Sequence, residues 1–449
     1  MALFGTAGIR GSSSEKVNIE MCSKLGGAIS SYFKDRSRNR FICGCDARTS
    51  SQALKFSFMS SLLYHGFDAV DIGVVPTPLL AFATYRDGCP GAMITASHNP
   101  PMDNGVKLFQ NGLEIGLEDE KAIECLYISG EGPPYDWKTC GRYCRMDVES
   151  YYVAYLLSFL SSRFPAKSLE GMRILVDSGN GVGSSVIQKV LEQLGANVFL
   201  INDHLSGLFP GRPSEPSMSN LGKTIEYAKA FGPDIIIAQD GDADRVNVLT
   251  SELELIPEDT LIAFFSNYYS SQGDKVVLSI DTSLRTDELL EKKGVQVVRV
   301  PLGYLHDGIR QYAPSFAAEP WKHIHVPFGP WIDGIMTSVM LSLMAKATPI
   351  PELLSKVPKY YQRKINVKLK RMGDCHDIIK KALDALSNTK DLRELVTISG
   401  VRANYNDNSW ILIRPSGTEP KLRIIIEGRN EDRLEDLRET VESILGDYG

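Results

Sequence analysis

The sequence lacks several features that would assign it to a membrane, secreted or nucleic-acid-binding class. Its 449 residues contain no run near the ~18 apolar residues of a membrane span. Its start, MALFGTAGIRG, has neither the basic beginning nor the apolar centre of a signal peptide. Positive charge is not in excess, since the net charge is −6 and the pI about 5.8. We therefore expect a cytoplasmic protein that binds neither nucleic acid nor membranes and holds any anionic ligand with local cations.

The eight cysteines lack the CxxC spacing that structural zinc sites prefer. Reduced and mostly buried thiols are the expected state in the cytoplasm. Cys43 and Cys45 lie two residues apart in an apparent strand and would face the same side, so a metal-binding or redox pair stays open as an alternative.

What the chain does contain is a repeated alternation of helical periods with short apolar runs. The pattern recurs in three successive stretches of roughly a hundred residues, which predicts three α/β domains with mixed or parallel sheets. From KYYQRKINVKL onward, extended segments alternate with amphipathic helices, which predicts a smaller α+β domain. We predict four domains, over residues 1–145, 146–250, 251–354 and 355–449.

The strongest local signal is DIIIAQDGDADRVNVL, in which an apparent buried strand ends in Asp240, Asp242 and Asp244. The alternate spacing lets three carboxylates converge on one point, as the oxygen ligands of Mg²⁺ do. A solvated acidic turn is the alternative. The glutamate and the spacing of an EF-hand loop are absent, so calcium of that type is disfavoured.

A second loop, RPSGTEPKLR, combines a guanidinium, two hydroxyls and backbone NH groups in one turn. These groups, on Arg414, Ser416, Gly417 and Thr418, could surround a phosphate. The spacing is not that of a P-loop, and a tight turn beside a cation is the alternative interpretation.

The third loop is TASHNPPMDNGVK, where Ser97 follows an apparent strand and Lys107 lies ten residues later. An ordinary turn explains these residues taken alone. With the aspartates, they predict phosphoryl transfer through a covalent serine, with Lys107 or His98 handling the proton of an attacking hydroxyl. A Ser-His-Asp hydrolase is disfavoured because the GxSxG elbow is absent.

Together with FGTAGIRG, CDARTSS and GRPSEPSMSNL, these three loops resemble, in order and along the whole chain, those of the α-D-phosphohexomutases. The resemblance implies four domains around a central cleft. It implies an enzyme that interconverts a hexose 1-phosphate and its 6-phosphate through a phosphoserine and a 1,6-bisphosphate, which also serves as activator.

The resemblance also implies a role for each matched residue. Ser97 would be the phosphoserine and would share one Mg²⁺ with Asp240, Asp242 and Asp244. Lys107 and His98 would assist proton transfer. Arg10, Arg48 and Arg245 would add positive charge or organise the site. The distal phosphate of the sugar would contact Arg414, Ser416, Gly417, Thr418 and Arg423.

The segment FAAEPWKHIH departs from the GEQSGH-like sugar loop of these enzymes. Glu319 is kept and His323 could still meet the sugar or its phosphate, but Trp321 and Lys322 stand where Ser and Gly are usual. Trp321 could equally pack between domains or act as a lid. Such a change strongly affects specificity, since buried polar contacts govern it.

The Glu-Pro start of the loop resembles that of the phosphoglucosamine branch of the family, which implies glucosamine phosphate as substrate, with mannose and glucose phosphates as alternatives. A sugar-phosphate-binding paralogue without turnover and a phosphomonoesterase stay open as other functions. The sequence does not decide between a monomer and a homodimer.

Overall fold

The structure is a computed structural model, and it describes residues 3–5, 8–34, 39–130, 132, 136–369, 374–416 and 421–446. The chain divides into two compact units, each built from two separate stretches. Unit 1 comprises Met1–Pro257 and Trp321–Leu353, and unit 2 comprises Glu258–Pro320 and Leu354–Gly449. The four domain boundaries stay a prediction. No helix within the described ranges combines the length and the apolar character needed to cross a bilayer.

The first sheet of unit 1 is mixed. Its strands are β1 (Ile9–Ser12), β2 (Arg40–Cys45), β3 (Asp68–Val74), β4 (Gly91–Ile94), β5 (Asp103–Gln110), β6 (Leu113–Glu114) and β7 (Tyr143–Arg145). They run in the order β1-β5-β4-β2-β3-β7, with β6 paired to β5. Strands β2, β3 and β4 are parallel, whereas β5 is antiparallel to β4 and β1. The parallel core places the end of β4, and the loop that carries Ser97, beside the end of β2.

The helices of this part are α1 (Ile19–Phe33), α2 (Ser51–Tyr64), α3 (Thr77–Asp87), α4 (Leu117–Ser129) and α5 (Val148–Ser161). Helix α1 begins where the Asn18 side chain accepts a hydrogen bond from the Met21 amide, which satisfies one of the free donors of the first turn. Helix α3 carries Pro78 in its first turn, where a missing N–H costs nothing.

The second sheet of unit 1 carries the acidic loop. It contains β8 (Arg173–Asp177), β9 (Asn197–Ile201), β10 (Ile235–Gln239) and β11 (Val246–Thr250), flanked by α6 (Ser184–Gln193), a 3-10 helix (Met218–Asn220) and α7 (Gly222–Phe231). The order is β11-β10-β8-β9, with β8, β9 and β10 parallel and β11 antiparallel. Every residue of β10 is buried, so the loop that follows it starts inside the protein.

Unit 2 begins with α8 (Glu258–Tyr269), β12 (Lys275–Ser279), α9 (Arg285–Glu291), β13 (Gln296–Val300), α10 (Leu305–Tyr312) and β14 (Phe316–Glu319). Strand β12 pairs in parallel with both β13 and β14. The chain then contributes β15 (Lys322–Ile324), α11 (Gly334–Ala347) and α12 (Ile350–Leu353) to unit 1. Asp333 caps α11 by accepting a hydrogen bond from the Met336 amide at 2.9 Å.

The last part of unit 2 is an antiparallel sheet with two helices. Its elements are β16 (Tyr361–Lys368), α13 (Asp374–Ser387), β17 (Leu392–Val396), β18 (Val401–Tyr405), β19 (Trp410–Pro415), β20 (Lys421–Gly428) and α14 (Glu431–Leu445), with the strands ordered β16-β20-β19-β18-β17. The buried Glu427 of β20 accepts hydrogen bonds from Ser283 Oγ (2.8 Å) and Trp410 Nε1 (2.6 Å). The predicted fold class, α/β sheets followed by a smaller α+β part, is confirmed.

Candidate active site

Ser97 lies in a tight loop directly after β4, and its backbone adopts φ 53°. This left-handed conformation is uncommon for a residue with a side chain and typically costs of the order of 1–3 kcal/mol. The loop is held in place on both sides of the serine. Thr95 Oγ1 accepts a hydrogen bond from the Ser97 amide at 2.8 Å, and the Ser97 carbonyl accepts one from Ser214 Oγ at 3.0 Å. The serine is therefore presented in one fixed orientation.

Arg48 is the main brace of this loop. Its guanidinium donates hydrogen bonds to four backbone carbonyls, those of Ser97, Asn99, Pro100 and Asp103, at 2.6–2.9 Å. The Arg48 Nε donates to the buried carboxylate of Asp46 at 3.0 Å, which fixes the guanidinium plane. Of the two roles implied for Arg48, adding charge or organising the site, these contacts match the organising one.

The three aspartates after β10 converge on this serine. Their potential ligand atoms all lie within 4.8 Å of one another, and all three residues are buried. Ser97 Oγ donates a hydrogen bond to Asp240 Oδ2 at 2.8 Å across 143 residues of sequence. Burial, and then repulsion from Asp242 and Asp244, raise the pKa of Asp240 well above its ordinary value.

Lys107 lies among the same carboxylates. Its Nζ donates to Asp244 Oδ2 at 2.6 Å and to Asp242 Oδ2 at 3.0 Å. Burial alone would lower the pKa of Lys107, but the two aspartates outweigh it and hold that pKa above its ordinary value. Burial likewise acts to raise the pKa of Asp244, but Lys107, Lys322 and Arg245 together hold it well below the usual range.

His98 and Arg10 complete the group around the serine. His98 Nδ1 lies 3.5 Å from Ser97 Oγ, and burial lowers the pKa of His98 to about 2, assisted by Arg245, Arg10 and Lys322. The Nη1 of Arg10 donates to Asn99 Oδ1 at 3.5 Å. The structure thus brings together every unit 1 residue for which a catalytic or metal-binding role was predicted.

Unpartnered buried atoms indicate what this group can bind. The Oδ1 atoms of Asp242 and Asp244 are buried without a hydrogen-bond partner among the described residues, and so are Nε and Nη2 of Arg10 and Nε of Arg245. Buried polar atoms are normally paired, so acceptors and donors left open side by side suit a cation and an anion respectively. The donor set, three carboxylates of which two keep an open oxygen, fits a hard divalent cation.

The sugar-loop residues separate between the two units. Glu319 ends β14 in unit 2 and accepts a hydrogen bond from the Gly303 amide at 2.8 Å. His323 lies on β15 in unit 1, is 1% exposed, and has its pKa lowered to about 3 by burial. Its Nδ1 is 3.4 Å from Thr337 Oγ1 on α11.

The second predicted loop lies at the turn between β19 and β20 in unit 2. Arg414 and Arg423 stand directly opposite each other on these two strands, and Asp281 Oδ2 is 3.7 Å from Arg414 Nη2. Like charges directly opposite in a sheet are unfavourable unless an anion lies between or beside them. Ser416 is buried, and its amide donates to the Lys421 carbonyl at 2.9 Å. Gly417 and Thr418 lie outside the described residues.

Models of protein families match the chain in four consecutive segments. Three are described as phosphoglucomutase/phosphomannomutase alpha/beta/alpha domains I, II and III, over residues 1–131, 150–252 and 257–361. The fourth is described as the phosphoglucomutase/phosphomannomutase C-terminal domain, over residues 365–444. The chain belongs to the phosphoglucomutase/phosphomannomutase family. The predicted membership of the α-D-phosphohexomutases is therefore confirmed.

Relatives of this mutase family match over nearly the full length. A phosphopentomutase of Thermococcus kodakarensis is 40% identical, covering 99% of this chain and 98% of its own. A probable phosphoglucosamine mutase of Methanothermobacter thermautotrophicus is 33% identical, covering 99% and 97%. A solved phosphoglucomutase/phosphomannomutase family protein from Burkholderia thailandensis has the same fold, with a TM-score of 0.86 at 23% identity over 100% of this chain and 98% of that one.

Three site residues of this family member were missed by sequence reasoning. Thr77, at the start of α3, donates its hydroxyl to Asp242 Oδ2 at 2.6 Å. Ser214 donates to the Ser97 carbonyl and accepts a hydrogen bond from the Gly241 amide at 3.0 Å, so it links the serine loop to the acidic loop. Arg212 donates to the Gln239 carbonyl at 2.6 Å and so supports the end of β10. The segment GRPSEPSMSNL was recognised, but nothing local in it revealed these long-range partners.

Proposed function

We propose that this chain is a phosphosugar mutase that moves a phosphoryl group between the anomeric and the primary oxygen of a sugar through Ser97. The observation that carries the proposal is the hydrogen bond from Ser97 Oγ to Asp240 within a group of three buried carboxylates and several cations. A strained backbone at a buried, fully oriented serine fits a residue that reacts rather than one that only forms a turn.

In each half-reaction one P–O bond breaks and one forms. The phosphoryl group leaves Oγ of phosphorylated Ser97 for the free hydroxyl oxygen of a sugar monophosphate, and the proton of that hydroxyl goes to the neutral imidazole of His98. Lys107, the other predicted proton acceptor, is already held as an ammonium by Asp242 and Asp244 and does not fit that role. The resulting bisphosphate turns round and returns its other phosphoryl group to Ser97 Oγ, while the proton goes back to the sugar oxygen that is released. His98 Nδ1, 3.5 Å from Ser97 Oγ, is within reach of the transferred proton.

Asp240, Asp242 and Asp244 would hold one Mg²⁺ together with an oxygen of Ser97 or its phosphate. The ion would supply positive charge to the phosphoryl oxygens during transfer. Arg10 and Arg245 are suited to the same oxygens, because Arg10 keeps two buried donor nitrogens, and Arg245 one, without an acceptor among the described residues. Thr77 and Lys107 would keep Asp242 and Asp244 oriented.

In unit 2 we propose that Arg414, Ser416 and Arg423 bind the phosphate that is not being transferred, with Gly417 and Thr418 of the same turn. Burial lowers the pKa of Arg414, and Arg423 lowers it further, while Asp281 and Glu319 act in the opposite direction. A phosphate dianion would relieve the repulsion between the two arginines and would accept from the unpartnered Arg414 Nε. Glu319 and His323 would contact the sugar.

Two sugars are the leading candidates. Glucosamine 1-phosphate is the hexose phosphate that the sequence favours. Relatives named probable phosphoglucosamine mutases are 33% identical to this chain. A pentose 1-phosphate is the second candidate, because the relative named a phosphopentomutase is 40% identical. The presence of Trp321 where a small polar residue is usual supports an altered sugar pocket in either case.

The test compares substrates on one preparation with Mg²⁺ and a sugar 1,6-bisphosphate activator. Initial rates would be measured with glucosamine, mannose, glucose and ribose 1-phosphates, and isomerised ester and free phosphate would be quantified separately. Ser97→Ala should abolish isomerisation, with a loss of at least about 10³-fold, while the exposed-serine control Ser219→Ala keeps it.

Each outcome of this comparison decides one alternative. Free phosphate as the main product would indicate a phosphomonoesterase, and saturable binding of every sugar without turnover would indicate a binding paralogue. Normal isomerisation by Ser97→Ala would overturn the phosphoserine mechanism itself.

A further inference from the structure

The loop after β12 in unit 2 is held as tightly as the serine loop of unit 1. Strand β12 lies between β13 and β14 and is parallel to both, so its carboxyl end belongs to the edge where ligands bind in open α/β sheets. The Ser279 carbonyl at this end accepts hydrogen bonds from the Thr282 amide at 3.2 Å and from Thr282 Oγ1 at 2.8 Å. The Ser279 hydroxyl donates to Asp281 Oδ1 at 2.6 Å. All three residues are buried, so the Asp281 carboxylate has a fixed place at this edge.

Arg402 fixes the same loop from the last sheet of unit 2. It lies on β18 and is fully buried, and its Nη1 donates to the carbonyls on both sides of Asp281, those of Ile280 and Thr282. The Arg402 guanidinium also lies 3.9 Å from the centre of the Trp410 ring. An arginine that holds a loop through its carbonyls is the arrangement already described for the serine loop. The position of the Asp281 carboxylate is therefore set by both parts of unit 2.

Arg414 lies beside this carboxylate. Its Nη2 is 3.7 Å from Asp281 Oδ2, and the two side chains are 11% and 8% exposed. The contact is an ion pair rather than a hydrogen bond at this distance, but water screens it little because both groups are nearly inaccessible. The Nε of Arg414 is buried without an acceptor among the described residues. One part of the guanidinium thus faces a fixed carboxylate, while another is left for a ligand.

A guanidinium as buried as that of Arg414 needs a counter-charge. Arg423, directly opposite in the sheet, has the same charge and opposes it. Glu319 is a second carboxylate at this edge, but its Oε2 accepts a hydrogen bond from the Gly303 amide. Among the described residues, Asp281 is the carboxylate within ion-pair distance of Arg414. Without it, the Arg414 side chain would gain by turning toward solvent.

We propose that Asp281 is a positioning residue that holds Arg414 in the buried orientation in which it binds the phosphate that is not transferred. The inference rests on the proposed function, because that function assigns this phosphate to Arg414. Asp281 acts through Arg414 and does not bind the phosphate itself, since two anions repel each other. Arg402 supports the same role by fixing the loop that carries Asp281.

The sign of the effect separates this role from a simple effect of charge. A carboxylate that acted only through its negative charge would repel the phosphate, and its removal would strengthen binding. A carboxylate that holds the arginine has the opposite effect, because its removal lets the guanidinium leave the position in which it meets the phosphate.

The test is a double-mutant cycle of Asp281→Asn, Arg414→Gln and the double variant. Rates would be measured with Mg²⁺, the bisphosphate activator and the sugar 1-phosphate that the unmodified protein converts fastest. We expect Asp281→Asn to raise KM by about five- to tenfold and to leave kcat within about twofold. Arg414→Gln should raise KM at least as much, and the double variant should match Arg414→Gln alone.

The control is Asp307→Asn, the same exchange in unit 2 at a side chain that is 42% exposed, and it should match the unmodified protein. If Asp281→Asn does not fold, as judged by its thermal melt, Asp281→Ser takes its place. Calorimetry with glucose 1,6-bisphosphate in the Ser97→Ala background repeats the cycle without turnover.

Each outcome decides one point. An equal or lower KM in Asp281→Asn would overturn the inference, as would a loss confined to kcat or KM increases that multiply in the double variant. Unchanged binding and unchanged KM in Arg414→Gln would contradict the proposed phosphate site and the inference with it. Full turnover by Ser97→Ala would contradict the proposed mechanism alone, because the coupling between Asp281 and Arg414 is measured by binding.

Discussion

The charged side chains around Ser97 in unit 1 and those around Arg414 in unit 2 differ in how deeply they are buried and how closely they contact one another. In unit 1, Ser97, Lys107 and the three aspartates are all nearly inaccessible and are joined by hydrogen bonds of 2.6–3.0 Å. In unit 2, Arg423 is exposed, and Arg414 Nη2 lies 3.7 Å from Asp281 Oδ2. A preorganised, buried group suits chemistry, because it needs no rearrangement as charge develops. A pair of cations of which one, Arg423, stays exposed suits recognition of a phosphate that arrives with the substrate.

This difference predicts that substitutions in unit 1 lower kcat, with the largest effect at the acidic loop. Asp244→Asn removes one carboxylate of the proposed metal site, which is also the closer of the two carboxylates that accept a hydrogen bond from Lys107. We expect a fall in kcat of about 10²–10³-fold and weaker Mg²⁺ binding by calorimetry. Asp307→Asn changes an acid whose side chain is 42% exposed and serves as the control. Wild-type kcat and Mg²⁺ affinity in Asp244→Asn would place the metal elsewhere.

The serine loop is the next most sensitive part. Arg48→Lys keeps the charge but cannot reproduce a planar fork that reaches four carbonyls. We expect kcat to fall by about 10- to 100-fold, because the orientation of Ser97 is lost, while KM changes little. Arg86→Lys, at a partly exposed position on α3, is the matched control. An unchanged kcat in both variants would contradict the proposal that Arg48 orients the loop that carries Ser97.

The burial of a carboxyl group in unit 1 can also be tested through the pH dependence of the free energy of unfolding. Asp333 is 1% exposed, and burial raises its pKa to about 6, although hydrogen bonds from the Met336 amide, Tyr152 and Trp331 oppose the shift. A raised carboxyl pKa means that the folded state holds the proton more tightly than the unfolded state. Its contribution to stability is therefore present below about pH 4 and is lost as the pH rises to about 6.

Asp333→Asn removes that titration. Relative to this variant, the unmodified protein should lose about 2 kcal/mol of unfolding free energy between pH 4 and pH 6. Denaturant melts of both proteins across this range measure the difference, with Asp307→Asn as the exposed control. Parallel stability curves for Asp333→Asn and the unmodified protein would show that burial at this position is weaker than the structure indicates.

The smallest predicted effect concerns unit 2. Arg423→Gln should raise KM for the sugar phosphate by about tenfold and leave kcat within about twofold, since a binding contact equal in ground and transition states affects KM alone. Arg310→Gln, an exposed arginine on α10 of the same unit, should change neither. A drop in kcat at constant KM would assign Arg423 to the chemistry and remove the contrast between the two groups.

Local signals predicted much of this molecule. Helix α11 spans Gly334–Ala347, as the stretch GIMTSVMLSLMAKA predicts, and α14 spans Glu431–Leu445, as its amphipathic period predicts. Both helices begin at a side-chain cap, Asp333 and Asn430, whose effect is local. The acidic loop after β10 was predictable for the same reason, since the apolar strand and the three aspartates are contiguous.

Other features depend on contacts that sequence spacing does not encode. The hydroxyls of Ser214 and Thr77 reach partners 117 and 165 residues away, so only the packed fold reveals them. Helix α3 carries no amphipathic period that would reveal it in the sequence, because its first eight residues are all buried. The β5–β6 hairpin did have a local signal, since Asn111 and Gly112 both adopt positive φ in its turn.

The most direct test of the account follows the phosphoryl group itself. A sugar 1-phosphate labelled in its phosphate would be mixed with the protein and Mg²⁺, and the labelled peptide would be identified after rapid acid quenching. We expect the label to appear on Ser97 and then on the primary oxygen of the sugar. Isomerisation that proceeds while the label stays absent from Ser97, or collects on another residue, would contradict it.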